Sequence, residues 1–400
     1  MRRWLVASLP LILLLGSALP ASARPAWKQT IDGAIRGHSV SVAVRIGGRL
    51  LYSHDPRHQR VPASNEKLIL SMALLHELGP RFHLPTFVHS KPTTDSIIGG
   101  NIWLVGRGDP SLASGSYASS LSFRATRMGM LARKIQAAGI RAIHGRVMGV
   151  VSYFQHDWFA RGWKYDFPIK EVALPSALTI NGNVVAGRHI VAPELTAARA
   201  LTSRLRALGV HVWHRAGVGT PPVGLHMLAR VTSAPLWALL RHMDRKSSNF
   251  FAEVLGKRLG VERFGRPGTI AKGARAISSW AASHGTLVTA YDSSGLSYAD
   301  RVSPRGMVRL LQVARRSSWG SLLRGLLPAG GQGTLAHRLT HVRLRAKTGT
   351  LRSISTLSGW VWLQQLRRWA DFSIMDSGMS KDRASAIEDT IVRTLSRYAS

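Results

Sequence analysis

The sequence predicts an α+β protein with a strand-rich region inserted into it, on three observations. Ser39 to Tyr52, SVSVAVRIGGRLLY, is rich in β-branched residues and broken by Gly47-Gly48, the signature of a hairpin. Leu68 to Leu78 is apolar on nearly every side and stops at Gly79-Pro80, which describes a buried helix. From about residue 90 to 230 the pattern changes to short β-like runs, Asn101 to Val105 and Arg146 to Val151 among them, punctuated by glycine, proline and serine. The expected organisation is one domain in two parts, 24–89 and 231–400, with a β-rich region, 90–230, inserted between them.

Helical pattern returns at Pro235 to Met243, Phe250 to Leu259 and Ile270 to His284. His341 to Leu351 then alternates, with Val342, Leu344 and Ala346 on one side and Arg343, Arg345 and Lys347 on the other. That is the period of a strand with one buried face. Ser358 to Leu363 is a second strand. Ile387, Ile391, Leu395 and Tyr398 make an i, i+4 stripe for a closing helix that packs on the sheet.

The composition, 45% hydrophobic and 18% charged over 400 residues, supports a filled core and excludes wholesale disorder. The net charge of +34 favours polyanionic surroundings without choosing among nucleic acid, anionic lipid and acidic wall polymers. The amino terminus chooses. Met1-Arg2-Arg3-Trp4 is followed by an apolar run from Leu5 to Leu15 and by Ala21-Ser22-Ala23, which together read as a secretory signal over residues 1–23. Its removal takes away two arginines and leaves +32, now in a compartment without nucleic acid. The absence of cysteine excludes disulfides, thiol nucleophiles and thiolate metal sites. The 16 histidines form no HExxH, so no metal site is expected.

Three short motifs carry chemistry. Ser64-Asn65-Glu66-Lys67 is an S-x-x-K tetrad at the entry to the buried helix, where one turn sets the lysine beneath the serine hydroxyl. Ser247-Ser248-Asn249 gives S-x-N after a helical segment, and Lys347-Thr348-Gly349 gives K-T-G on the alternating strand. A serine hydroxyl needs a neighbour to take its proton, and no GxSxG elbow points to a histidine. Lys67 serves if it is neutral, a form that burial and the like charge of Lys347 both favour. Ser247 then bridges the two lysines. Asn249 offers an amide to a peptide backbone, Lys347 and Thr348 hold a terminal carboxylate, and Gly349 admits an extended substrate along the strand edge. The backbone N–H groups of Ser64 and Thr350 are the expected oxyanion hole, a device worth about 3 kcal/mol per donor.

With these motifs in place, the sequence resembles the class C low-molecular-mass penicillin-binding proteins, secreted D-alanyl-D-alanine carboxypeptidases that often act as DD-endopeptidases. The likeness spans about residues 35 to 395 and includes PASNEKL at 62–68, LVGRGDPSL at 104–112, SALTINGN at 176–183, NFFAEVL at 249–255, SSGLSYADRVSP at 293–304 and RAKTGTL at 345–351. It implies a β-lactamase/transpeptidase-like domain, an antiparallel sheet flanked by helices, interrupted after the S-x-x-K helix by the β-rich insertion. It further implies Ser64 as nucleophile, Lys67 as base, Ser247 as relay, Asn249 as substrate ligand and Lys347 to Thr350 as the carboxylate and oxyanion element. No cofactor is implied. The implied partners are peptidoglycan stem peptides, with β-lactams as covalent inhibitors.

The chain departs from that pattern in places. Ser248 stands where aspartate is usual, Arg107 and Ser293 replace glycines, Asp376 replaces an asparagine, and Val150-Val151 occupies the place of an acidic pair that in relatives helps recognise a stem-peptide amino group. Two alternatives share part of the evidence. A β-lactamase has the same trio, but the separation of 183 residues from Ser64 to Ser247 demands an insertion that compact β-lactamases lack. A non-catalytic basic protein would bind an anionic wall or membrane surface through charge alone.

Overall fold

The computed structural model describes residues 25–398; the secretory-signal segment lies outside the described residues. In chain order the main elements begin with helix α1 (Ala26–Ile35), the hairpin β1 (Ser39–Ile46) and β2 (Arg49–His54), and helix α2 (Glu66–Glu77). Then come β3 (Pro85–Ser90), β4 (Ile102–Gly106), α3 (Met128–Ala137), β5 (Val147–Val150), α4 (Pro193–Ala207), β6 (Gly217–Gly219) and β7 (His226–Thr232). The chain continues through α5 (Leu236–Lys246), α6 (Asn249–Phe264), α7 (Ile270–Ser283) and α8 (Pro304–Arg316). It ends with β8 (Leu344–Leu351), β9 (Ile354–Leu363), β10 (Arg368–Ser377) and α9 (Lys381–Tyr398).

The first and last groups build one antiparallel sheet in the order β8-β9-β10-β1-β2, so the hairpin near the amino terminus completes a sheet whose other three strands come from the carboxy-terminal part of the chain. Period-2 side chains give each strand two apolar faces, and helices cover both. On one face α1 and α9 bury Trp27, Ile31, Ile387, Ile391 and Leu395 against Val42, Leu357 and Ile374. On the other, Trp360 and Met375 join a larger cluster with Leu70 and Leu74 of α2, Phe251 and Leu255 of α6, and Leu310 of α8. Truncating a leucine in this layer, Leu70 for example, costs about 2–5 kcal/mol.

The middle group forms a second sheet in the order β6-β5-β4-β3-β7, parallel between β6, β5 and β4 and antiparallel beyond. Leu131 and Ile135 of α3 and Leu201 and Leu205 of α4 pack with Val88, Leu104 and Val147 of this sheet, giving the insert helices as well as strands. Its first strand starts at Pro85, ahead of the compositional change near 90. The buried face of β3 is Thr86, Val88 and Ser90, and the two polar residues conceal the strand from a hydrophobicity reading.

Between β5 and α4 the chain leaves the second sheet and crosses the helical layer of the main domain. Tyr153, Phe154, Ala173 and Ala177 enter the cluster that holds α2 and α6. Trp163, Phe167 and Val172 pack with Ile270 and Leu296. This crossing strap sets part of the insert beside the start of α2.

Three arginines near Lys347 in sequence have structural partners. Arg338 pairs with Glu388 and Asp389, Arg343 lies over the rings of Trp362 and Trp369, and Arg345 donates to the Leu327 carbonyl. These three arginines brace the sheet edge.

Candidate active site

The S-x-x-K tetrad forms a 3-10 turn, Ala63–Asn65, that runs directly into α2. Asn65 fastens that turn to the sheet: its Nδ2 donates to Thr356 Oγ1 at 2.6 Å, and Thr356 Oγ1 in turn donates to the Pro62 carbonyl at 2.9 Å. Lys67 follows one turn later, fully buried, while Ser64 stays partly open. Lys67 Nζ lies 2.9 Å from Ser64 Oγ, 2.7 Å from Asn249 Oδ1 and 2.6 Å from the Ser294 carbonyl.

Ser247 and Asn249 sit where α5 meets α6. Ser247 takes a left-handed conformation, φ 54°, at the end of α5, a geometry that costs about 1–3 kcal/mol in a residue with a Cβ. Ser248 then caps α6, its Oγ accepting from the Phe251 N–H at 3.3 Å. A short polar side chain fills that cap as aspartate does, which explains how serine is accommodated there. The tight corner throws Ser247 and Asn249 to the same side. Lys347 Nζ donates to Ser247 Oγ at 2.9 Å and to the Thr348 carbonyl at 2.8 Å. The strand alternation places Lys347 on a polar face, yet the side chain is fully buried, because that face of β8 meets the helical layer instead of solvent.

The two lysines are strongly perturbed. Burial lowers Lys67 to about 8 in spite of Asp292, Glu253, Asp244 and Glu66 around it. Burial, and then the like charge of Lys67, lowers Lys347 to about 7. The neighbouring acids oppose this weakly because they too are desolvated. Burial raises Glu253 to about 8 and Asp244 to about 7, and Glu66 rises well above its usual range. Near neutral pH the pair therefore carries less than two full charges.

Strand β8 is an edge strand. The Ala346 N–H points away from β9, donating to the Pro328 carbonyl at 3.0 Å. With a period of two, the N–H groups of Thr348 and Thr350 project from the same free edge. Thr348 Oγ1 reaches Thr334 Oγ1 at 2.7 Å. Gly349 has a packing reason besides the one its sequence suggests. A Cβ there would lie 2.3 Å from Thr356 Oγ1 and 2.9 Å from both the Pro62 carbonyl oxygen and Ser64 N. The missing side chain makes room for the serine turn, on the sheet face, and the free edge beside it is a separate surface.

The structure thus joins Ser64 and Asn249 to Lys67, and Ser247 to Lys347, by direct hydrogen bonds, with Thr348 to Thr350 along the adjoining edge; among the described residues no hydrogen bond links Ser247 to Lys67, so the expected bridge between the two lysines is made on the Lys347 side alone. Sequence reasoning missed Asn65, Thr334 and two backbone carbonyls. One is that of Ser294. The other is that of Glu171 in the crossing strap, which accepts from Asn249 Nδ2 at 3.0 Å. Asn65 was within reach as the middle of the tetrad; a backbone acceptor leaves no mark in a sequence.

An antiparallel sheet layered by helices, a serine–lysine pair opening a buried helix and a second serine–lysine pair between a helix corner and an edge strand define a serine acyl enzyme of the penicillin-binding class. Residues 27–189 and 184–398 match the D-Ala-D-Ala carboxypeptidase 3 (S13) family, and the chain belongs to that family. It is a serine D-Ala-D-Ala carboxypeptidase. Similar proteins include the D-alanyl-D-alanine carboxypeptidase of Actinomadura sp. strain R39, 27% identical over 92% of this chain and 82% of that one. Carboxypeptidase Rv3627c of Mycobacterium tuberculosis is 32% identical over 75% of this chain and 67% of that one. Among solved structures, penicillin binding protein 4 (dacB) from Haemophilus influenzae superposes with a TM-score of 0.78 at 19% identity, covering 93% of this chain and 99% of that chain. Its complex with a novel β-lactam matches with a TM-score of 0.73. No helix among the described residues is long and apolar enough to cross a membrane.

Proposed function

We propose that Ser64 is the nucleophile of this carboxypeptidase and that it removes the terminal D-Ala of peptidoglycan stem peptides through an acyl-enzyme. The observation that carries the reading is the pair of contacts Lys67 Nζ to Ser64 Oγ and Lys347 Nζ to Ser247 Oγ, both 2.9 Å. Lys67, held below the ordinary lysine range by burial, accepts the hydroxyl proton as Ser64 Oγ attacks the penultimate D-Ala carbonyl. The substrate carboxylate lies against Lys347 and Thr348 and favours keeping the pair's remaining proton on Lys347. The N–H groups of Ser64 and Thr350 receive the oxyanion. Ser247 relays a proton to the departing amine, and D-Ala leaves. Water then attacks the ester with Lys67 again as base, releasing the shortened peptide and regenerating Ser64.

Substrate lies beside β8 as an added strand, with Asn249 touching its backbone. Asn249 Nδ2 gives one of its two N–H bonds to the Glu171 carbonyl, and the other is the donor for a substrate carbonyl. β-Lactams, as cyclic mimics of the same acyl donor, acylate the same serine. The secretory signal read over residues 1–23 directs the enzyme outside the cytoplasm, where the processed chain's net charge of +32 attracts it to anionic wall polymers or a membrane surface.

The test is release of D-Ala from a synthetic stem pentapeptide by the wild type and by Ser64→Ala, with wall binding measured against ionic strength in both. Turnover lost with Ser64 while adhesion persists supports the reading; D-Ala release by Ser64→Ala overturns it.

A further inference from the structure

Lys67 has three neighbours, and their chemistry differs. Ser64 Oγ carries a proton to be taken; Asn249 Oδ1 and the Ser294 carbonyl only accept. A neutral amine has two N–H bonds and one lone pair. With both N–H bonds given to the two acceptors, the lone pair is left pointing at the Ser64 hydroxyl. The Ser294 carbonyl therefore orients the base, and whatever fixes that carbonyl acts on catalysis at one remove.

Two buried carboxyl groups fix it. Glu253 Oε1 accepts from the N–H groups of Ser293 at 3.0 Å and Ser294 at 2.8 Å. Asp292 accepts from Gly295 N at 2.7 Å through Oδ1 and from Ser297 N at 2.8 Å through Oδ2. Four successive or near-successive amides are thus gathered on two side chains. The turn is pressed against the nucleophile: Gly295, φ 76°, leaves no space for a Cβ, which would meet the Ala63 carbonyl oxygen. Ser293, where a glycine is usual, finds its room between Gly256 and Gly273, each of which would have a Cβ against its hydroxyl. The last member comes from the insert. Trp163 Nε1 donates to Asp292 Oδ2 at 2.6 Å, and Ser297 Oγ donates to the Arg161 carbonyl of the same strap at 2.7 Å.

We propose that Glu253, Asp292 and Trp163 are positioning residues for the acylation step: they hold the Ser294 carbonyl against Lys67 and thereby aim its lone pair at Ser64, with Trp163 making the inserted region part of the catalytic apparatus. This rests on Lys67 being the base. The inserted strap is then more than a wall of the substrate cleft, since its indole N–H completes the shell around Asp292. Misaiming a base by about 1 Å lowers a rate by about 10²-fold while leaving substrate affinity intact.

The test compares wild type, Trp163→Phe, Glu253→Leu and Glu253→Gln for acylation by a chromogenic β-lactam, separating the non-covalent affinity from the acylation rate constant. Trp163→Phe keeps an aromatic ring in the cluster with Phe167 and Leu296 while removing the N–H donor together with part of the ring volume. It should lower the rate constant about tenfold or more with affinity changed less than about twofold. Glu253→Leu should fall further, and Glu253→Gln, which retains an acceptor oxygen for both amides, should recover most of the loss. Mapping the wild-type adduct separates the two levels. An adduct absent from Ser64 means the reading of the site has failed. An adduct on Ser64 with unchanged rate constants in Trp163→Phe, or equal loss in Glu253→Leu and Glu253→Gln, overturns the positioning role alone.

Discussion

Lys347 Nζ donates to Ser247 Oγ at 2.9 Å, joining an edge strand to the corner between two helices that lie 100 residues earlier in the chain. The serine holds a left-handed backbone to make that contact, and the lysine is fully buried to reach it. Such strain in a two-residue corner is intelligible if Ser247 passes a proton. Ser247→Ala should lower both acylation by a β-lactam and D-Ala release by roughly 10²-fold, with the melting transition within a few degrees of wild type. Rates within twofold of wild type would remove Ser247 from the relay.

The perturbed lysines predict a pH profile. A base must be neutral, and the neutral fraction of Lys67 grows as pH rises toward its value of about 8. Acylation of Ser64 at saturating β-lactam should rise close to tenfold per pH unit below about 7.5 and level above about 8.5. Stopped-flow acylation between about pH 6 and pH 9 reads this directly; a flat profile would exclude Lys67 as the titrating base.

Gly349 is a packing requirement of the nucleophile turn. A methyl group there meets Thr356 Oγ1, the Pro62 carbonyl oxygen and Ser64 N at under 3 Å, so Gly349→Ala must push the serine turn away from β8. A loss of about 1–3 kcal/mol in unfolding free energy is expected, with the acylation rate falling more than substrate affinity. Denaturant titration and β-lactam kinetics on the one variant test both halves. An alanine variant with wild-type stability would show the contact to be harmless.

Asp376, which stands where an asparagine is usual, carries a cost that depends on pH. Burial, and then the nearby Glu388, raises its pKa from the ordinary 3.8 to about 8. A carboxyl group whose folded value lies above its unfolded value favours folding only while protonated. Its contribution is retained below about pH 4 and lost as pH rises to about 8. Asp376→Asn should therefore raise the melting temperature, with a gain that grows across that interval and is constant above it. Equal melting temperatures at about pH 5 and pH 9 for the pair would contradict the assignment.

Much of the fold was legible because its signals are local. The hairpin at Gly47-Gly48, the apolar α2 and the i, i+4 stripe of α9 all follow from period and punctuation. The lost information is of two kinds. Strand β3 was hidden by Thr86 and Ser90, polar residues that the tertiary structure buries. Lys347 sits on the polar side of an alternating strand, and nothing local says that helices cover that side as well. At the site, side chains with chemical character announced themselves as motifs, whereas the Ser294 and Glu171 carbonyls belong to the backbone and have no residue signature. Gly349 was legible as a glycine, but which neighbour needs its space depends on how the turn at Ser64 packs.

One hydroxyl, that of Ser64, is proposed to carry the acyl group. Mass spectrometry of the folded full chain after incubation with a β-lactam, followed by peptide mapping, addresses it most directly. A single adduct of intact β-lactam mass on Ser64 is expected, long-lived in the wild type and absent from Ser64→Ala. An unmodified protein, or an adduct mapped to any other residue, would contradict it.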